Sequence, residues 1–427
     1  MAGRWFHAAF CTALVAGFAG AAAYAETAPV AASEFQAIAT DIRLAGDDKT
    51  TRVIVDLSRK LDPRVFTLAN PYRVVVDLPQ TLFQLPSQSG GNGRGLVKAY
   101  RHGLVMAGGS RIVIDVAKPV LVESAFVLEP QDGQPARLVL DLAATDRDSF
   151  TRAQAAQTQA AQTQVAQTGT TASLASRLEA ASLPDKSDSR PLIVIDPGHG
   201  GPDTGAKTAD GAIMEKDMVL DFSLTLRDRL QKSGRYRIML TRSDDTFIPL
   251  AERVKMARAR DAALFISIHA DSLPKADSEV QGATVYTLSE KASDIEAAQL
   301  AETENRADIV AGVDLSREPD EVAGILFDLA QRETRGDSQQ FARALVGEMK
   351  TAMRLHKKPL KSASFVVLKA PDVPSVLVEL GYMTNRQDMK LMTSKDWHGK
   401  AAQSMVEAVD AFFRTRMAGA NPSPARP

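Results

Sequence analysis

Between Thr151 and Thr171 the chain is almost entirely Ala, Gln and Thr, with one charge, Arg152, and one sizeable apolar side chain, Val165. It contains a near-repeat, Ala155-Ala-Gln-Thr-Gln159 followed by Ala160-Ala-Gln-Thr-Gln164. Such a stretch buries too little apolar surface to offset the entropy of ordering it, although Ala and Gln permit transient helix. The sequence on either side must therefore build its own core, and residues 146–190 are expected to be a linker. A length of 427 residues suits two or three domains. Hydrophobic residues at 44% and charged residues at 24% are ordinary for a soluble globular protein. Lys and Arg (51) balance Asp and Glu (52), which leaves no global field to hold a polyanion, so nucleic acid is not an expected partner.

Residues 1–25 read as an export signal. Arg4 supplies the positive start, Ala8 to Gly20 the apolar run, and Ala23-Tyr24-Ala25 a small-residue cleavage site. The run is shorter than the ~20 residues a helix needs to span a bilayer, and no later stretch is long enough either. The single cysteine, Cys11, lies within this signal, so the exported chain would have none. That suits an oxidising compartment, and the periplasm is the expected location.

Residues 34–145 repeat one short pattern four times: Arg52-Val-Ile-Val-Asp-Leu57, Arg73-Val-Val-Val-Asp-Leu78, Arg111-Ile-Val-Ile-Asp-Val116 and Arg137-Leu-Val-Leu-Asp-Leu142. With turn residues such as Asn70-Pro71 and Gly108-Gly109 between them, these read as short strands of an all-β sandwich with duplicated halves. The recurring Arg and Asp are expected as solvated strand ends or cross-strand pairs. The repeats resemble the AMIN domain, which implies a sandwich that places a cell-wall enzyme by binding peptidoglycan.

Past Pro191 apolar strands alternate with longer amphipathic segments, the pattern of an α/β domain over residues 191–417 with a mostly parallel twisted sheet and helices on both faces. Strands are expected at 192–195, 237–240, 264–268, 283–287, 364–368 and 375–379, and helices at 216–233, 248–260, 339–355 and 397–417. The first strand runs into Pro197-Gly-His-Gly-Gly201 and a second into His269-Ala-Asp-Ser272. Each places an imidazole at the carboxyl end of a buried strand, where open α/β sheets carry their sites. Glu215 opens a helix and Glu379 ends a third strand.

Two imidazoles and a carboxylate match the three-ligand sets of hydrolytic zinc sites, which leave one position open. Such a metal activates water and polarises a carbonyl, and a further carboxylate is needed to carry the proton. His199, Glu215 and His269 are read as ligands and Glu379 as the proton carrier, although either carboxylate could reach a metal from these positions. Asp196 could orient a ligand imidazole or merely cap its strand. His356 and His398 are expected at the surface.

Four ordered motifs now carry a resemblance: Ile195-Asp-Pro-Gly-His-Gly-Gly-Pro-Asp-Thr-Gly205, Glu215-Lys216-Asp217, Ser267-Ile-His-Ala-Asp-Ser272, and Pro374-Ser-Val-Leu-Val-Glu-Leu-Gly-Tyr-Met383 with Asn385. They resemble the zinc-dependent N-acetylmuramoyl-L-alanine amidases, in particular the periplasmic cell-division type. The resemblance implies Zn2+ on His199, Glu215 and His269, a catalytic Glu379, and as substrate the peptidoglycan amide between N-acetylmuramic acid and L-alanine. About 50 residues, 289–338, do not serve the sheet and read as two helices, 291–310 and 319–335. They read either as a surface helical hairpin packed on its own apolar faces or, as the resemblance implies, as a regulatory lid lifted by a LytM-domain activator; a plug on the metal site needs an anionic group, which Glu290 or Glu296 could supply, and the apolar side of 322–329 could then face the activator. Two rival readings are a non-catalytic peptidoglycan-binding regulator and a zinc carboxypeptidase on stem peptides.

Overall fold

The computed structural model describes residues 37–86, 93–106, 108–131, 133–168, 188–272, 280–314 and 325–420, with side chains described except at 158, 160–168, 325–332 and 417–420. The expected signal, 1–25, lies outside these residues, as do the side chains of 322–329.

Nine strands come first: β1 (Ala37–Gly46), β2 (Thr50–Leu57), β3 (Arg64–Leu68), β4 (Arg73–Pro79), β5 (Thr81–Phe83), β6 (Val97–Val105), β7 (Gly109–Val116), β8 (Val120–Leu128) and β9 (Ala136–Ala144). They form two sheets, ordered β5-β1-β2-β9-β8 and β6-β7-β4-β3. The four repeats pair among themselves, β2 with β9 and β4 with β7, both antiparallel. Antiparallel pairing of an Arg-to-Asp motif sets the Arg of one strand opposite the Asp of the other, and the register shows Arg52 facing Asp141 and Arg111 facing Asp77. Val53, Val55, Val74, Val76, Ile112, Ile114, Leu138 and Leu140 alternate inward and fill the space between the sheets.

The stretch expected as a linker is helical where described: α1 runs Arg147–Thr168. Its composition alone gives no reason to fold, but its first turns are tied to the sandwich. Asp146 caps the start through the Ser149 N–H (2.8 Å). Phe150 is buried edge-on against Tyr72, and Gln157 accepts from the Thr67 N–H (3.2 Å).

The second half comprises β10 (Leu192–Pro197), α2 (Glu215–Lys232), β11 (Arg237–Leu240), β12 (Thr246–Phe247), α3 (Leu250–Arg258), β13 (Leu264–His269), β14 (Ala283–Leu288), α4 (Ile295–Glu304), α5 (Ala307–Val310), α6 (Ile325–Met349), β15 (Leu355–Ala363), β16 (Ser375–Glu379), α7 (Arg386–Met392) and α8 (Lys395–Ala420). The six-stranded sheet has the order β11-β10-β13-β16-β14-β15 and is parallel except where β14 meets β16. Its central strands are buried throughout, and alternate residues face two cores. Ile193, Ile195, Ile266 and Val378 meet Phe222, Leu345 and Met405 of α2, α6 and α8. Val194, Phe265 and Leu377 meet Leu250 of α3, Ala297, Leu300 and Ala301 of α4, and Ala307 of α5.

Three details differ from the sequence expectation. The helices drawn at 319–335 and 339–355 are one helix where described, α6: no Pro interrupts it, Gly336 and Gly347 are tolerated within it, and Phe341, Leu345 and Met349 anchor it in the core. The fifth expected strand lies at Leu355–Ala363, ahead of the expected 364–368, where a short 3-10 turn sits instead. His398, expected at the surface, is 4% exposed on α8, with Nε2 2.5 Å from the Met392 carbonyl.

The two halves meet directly. β12 pairs in parallel with the end of β6, extending the sandwich sheet with a strand from the α/β half. Near this seam His102 of β6 packs on Phe83, ring centroids 4.5 Å apart. Burial, helped by the Lys216 charge and opposed by Asp245, pushes His102 down to about 4. Between that value and the ordinary ~6.5 the unfolded chain binds the proton and the folded chain does not, so His102 costs stability as pH falls through this window. The gap amounts to about 3 kcal/mol. We expect His102→Gln to lose less unfolding free energy than wild type between pH 6.5 and 4, by up to that amount. Parallel urea-denaturation curves for the two proteins across that range would contradict it.

Candidate active site

Three strand ends and one helix start converge at the carboxyl edge of the sheet. β10 delivers His199 on the turn that follows it, β13 ends in His269, β16 ends in Glu379 beside it in register, and Glu215 is the first residue of α2. One ligand atom each from His199, Glu215 and His269 lies within 4.8 Å of the others, and all three residues are buried. Glu215 Oε1 is 3.1 Å from His199 Nε2 and 3.3 Å from His269 Nδ1. Yet neither nitrogen has a hydrogen bond of acceptable geometry, so both are buried donor-acceptor atoms facing a shared space. Orphaned imidazole nitrogens around a carboxylate suit a cation between them.

The turn is held by groups beneath it. His199 adopts φ +60, in the left-handed region a side chain rarely occupies. Arg253, 1% exposed, donates to the carbonyls of Pro197 and His199 (both 2.7 Å) and to Asp196 Oδ1 (2.9 Å). Arg242 donates to the carbonyls of Pro197 (3.0 Å) and Gly198 (2.7 Å). Asp196 accepts from Thr241, Ser267 and Arg253, so it anchors the arginine under the turn and does not touch an imidazole. The imidazole partner is Asp203, whose Oδ2 lies 2.9 Å from His199 Nδ1 and directs Nε2 to the centre. Gly205 (φ +60) closes the loop where a Cβ would come within 2.6 Å of Glu215 Oε2 and 2.7 Å of the His199 ring.

Glu215 is fully engaged, its two oxygens accepting from the N–H groups of Ala206 and Ala270 (2.8 Å each). Glu379 is not: Oε2 accepts from the Asp271 N–H (3.0 Å) and Oε1 is buried without a partner. Burial, reinforced by the neighbouring Glu215, Asp271 and Glu304 charges, pushes Glu379 well above the usual carboxylate range against the pull of His269.

A fourth acid completes the cluster. Glu304, the last residue of α4, places Oε2 3.0 Å from His269 Nδ1 and 3.5 Å from His199 Nε2, while its Oε1 has no partner. Burial alone would lower His269, but Glu304 and Glu215 outweigh it and raise the ring to about 10. His199 is likewise raised, by Glu215, Asp203 and Glu304. So much buried negative charge asks for a cation.

The sequence expectation placed this acid at Glu290 or Glu296, and the structure brings neither to the site. Glu290 is exposed in the loop before α4. Glu296 turns to β15, with its carboxylate 2.7 Å from Lys361 Nζ and accepting from the Tyr382 hydroxyl (2.9 Å). The reason is helical phase. The buried stripe of α4 is Ala297, Leu300, Ala301 and Glu304, and Glu296 lies about 100° off it. A carboxylate in line with an apolar stripe was the available signal.

Comparison with known proteins now adds the chemistry. The N-acetylmuramoyl-L-alanine amidase family profile matches residues 193–411, and the AMIN domain profile matches 41–142. The chain belongs to the N-acetylmuramoyl-L-alanine amidase family. It is 33% identical over 370 residues to the amidase AmiC of Neisseria meningitidis serogroup B, covering 86% of this chain and 87% of that one. It is 32% identical over 371 residues to AmiC of Escherichia coli O6:H1, covering 85% and 86%. Among solved structures, the amidase AmiC2 of Nostoc punctiforme is 25% identical, with a TM-score of 0.38, covering 52% of this chain and 97% of that one. The protein is thus an AmiC-like peptidoglycan amidase with an N-terminal AMIN domain, an enzyme and not a binding module alone. Among the described residues no helix of the amidase is long and apolar enough to cross a membrane.

Proposed function

We propose that the amidase uses zinc on His199, Glu215 and His269, acts in the periplasm on septal wall during daughter-cell separation, and is silent until a LytM-domain activator lifts α4 from the site. The observation that carries the reading is the pair of orphaned imidazole nitrogens, His199 Nε2 and His269 Nδ1, buried and facing Glu215 Oε1. A bound zinc supplies Lewis acidity to the attacking water and the scissile carbonyl. Asp203 holds His199 in the tautomer that presents Nε2. The free oxygen of Glu379 takes the proton of the attacking water and passes it to the departing nitrogen of L-alanine. A raised proton affinity suits that role. Cleavage frees intact stem peptides and leaves bare glycan.

Glu304 accounts for silence. Its carboxylate stands where substrate must enter, beside both imidazoles. The packing of α4 itself is modest: it buries Ala297, Leu300 and Ala301 against the sheet, and a leucine contributes roughly 1.5–3 kcal/mol. A partner protein can displace that. The deciding experiment is digestion of purified peptidoglycan by wild type and Glu304→Gln, each with and without a chelator, with products identified by mass. We expect stem peptides from both, more from Glu304→Gln by at least tenfold, and none with the chelator. Chelator-resistant release would overturn the zinc reading; equal release from both proteins would overturn the plug.

A further inference from the structure

The segment after Glu304 is gripped by the AMIN domain. On the β6-β7-β4 sheet, Arg101 Nε donates to the Val310 carbonyl (2.6 Å), Arg111 Nη1 to those of Ala311 (3.2 Å) and Gly312 (2.8 Å), and Arg73 Nη1 to that of Ile309. These carbonyls lie at and just past the end of α5, where a helix leaves its acceptors unsatisfied. Two of the guanidinium groups are aimed by carboxylates behind them, Arg101 by Asp115 (2.5 Å) and Arg111 by Asp77 (2.6 Å). On the other sheet the equivalent Arg52 spends its donors on Asp141 (2.6 and 2.9 Å), exposed on the surface. The repeat's arginine therefore makes an ordinary cross-strand pair at Arg52, while on the other sheet Arg73 and Arg111, joined by Arg101 of β6, form a carbonyl-binding row.

The fit is close. Gly312 (φ +70) lies flat on the sheet, and a Cβ there would come within 3.0 Å of Val113 Cγ2 and 3.1 Å of Val75 Cγ2. Only four residues separate Glu304 from Ile309. Between them Asn305 is tied through its side chain to the Ser364 carbonyl and the Val366 N–H (2.8 Å each), so Glu304 is held by this tie on the catalytic side and by the arginine row on the other.

We infer that this arginine row is an intramolecular latch: Arg73, Arg101 and Arg111 hold residues 309–312 and thereby keep Glu304 between the imidazoles, so that separation of the AMIN domain from the catalytic domain opens the site. The inference rests on the reading of Glu304 as the plug. It assigns the AMIN domain a part in silencing as well as in placement.

The test uses the purified chain without activator. Gly312→Leu and the double variant Arg101→Gln/Arg111→Gln attack the latch from its two sides, Glu304→Gln is the reference for an open site, and Arg52→Gln is the control. Stem-peptide release is measured alongside hydrogen exchange on metal-free protein over residues 295–312, with β10 and β13 as the check on folding. We expect both latch variants to release peptide several-fold faster than wild type and to exchange faster across 295–312 with the two strands still protected. Arg52→Gln should match wild type in both. Quiet latch variants beside an active Glu304→Gln would overturn the latch and leave the plug standing. If Glu304→Gln is itself quiet, the plug reading falls and exchange decides the contact: unchanged protection of 295–312 in the latch variants overturns the latch as well, and lost protection supports it.

Discussion

His269→Ala is expected to leave the amidase without bound metal and without measurable stem-peptide release, and added zinc should not restore either at physiological concentration. The imidazole is one of the three proposed ligands, and removing it leaves a His and a carboxylate, too few for a tight tetrahedral site. The fold should survive. β13 is anchored by Leu264, Phe265, Ile266 and Ile268, which pack into both cores of the domain and owe nothing to the ring. The loss should therefore appear in metal content, measured by elemental analysis after dialysis, with circular dichroism unchanged. A His269→Ala protein that keeps one metal per chain would move the ligand set elsewhere in the cluster. Glu304 is the candidate in that case, since its Oε2 is already 3.5 Å from His199 Nε2.

How far the sequence foretold this site follows from which constraints are local. His199, Glu215, His269 and Glu379 each end a strand or open a helix, so their convergence follows from the rule that a parallel sheet gathers its carboxyl ends on one edge. The sandwich was readable for a similar reason: an Arg-to-Asp motif repeated four times makes sense as antiparallel partners. Glu304 was missed because the insertion offered several acids and only the three-dimensional phase of α4 selects one. Asp203 could have been found, since it stands four residues past His199 in a glycine-rich turn that brings the two side chains together. Arg253 could not. Its role depends on α3 lying under a turn more than 50 residues earlier in the chain, a contact with no sequence signature. The same holds for α1, whose weak composition folds only because Phe150 and Gln157 find the sandwich.

The plug and the latch also explain a feature that neither domain accounts for alone. An AMIN sheet that served only to bind wall would gain nothing by burying Arg73 and Arg111 against the catalytic half, yet Arg73 is 3% exposed. Long cationic side chains are costly to order and desolvate, and they are found buried where their donors meet acceptors. Residues 309–312 supply those acceptors. On the proposed plug and latch, the AMIN domain shares in keeping the site closed.

Glu379→Gln is expected to separate the two carboxylates that sequence left interchangeable. The amide is nearly isosteric, and its oxygen can still accept from the Asp271 N–H, so the loop after β13 should stay in place. What it cannot do is take a proton at the position now held by the free Oε1. Loss of a positioned general base and acid costs about 10²- to 10⁴-fold in rate, or about 3–5 kcal/mol of barrier. The variant should accordingly release stem peptides that much more slowly while retaining its full complement of zinc. Glu215→Gln should do the reverse in its metal content, because Glu215 faces both imidazoles and its loss weakens the ligand set. Rate and metal are measured on the same samples, so the two outcomes are separable. If Glu379→Gln lost its metal along with its rate, Glu379 would be a ligand, and the proton would have to be carried by another buried acid of the pocket, Asp271 or Glu304.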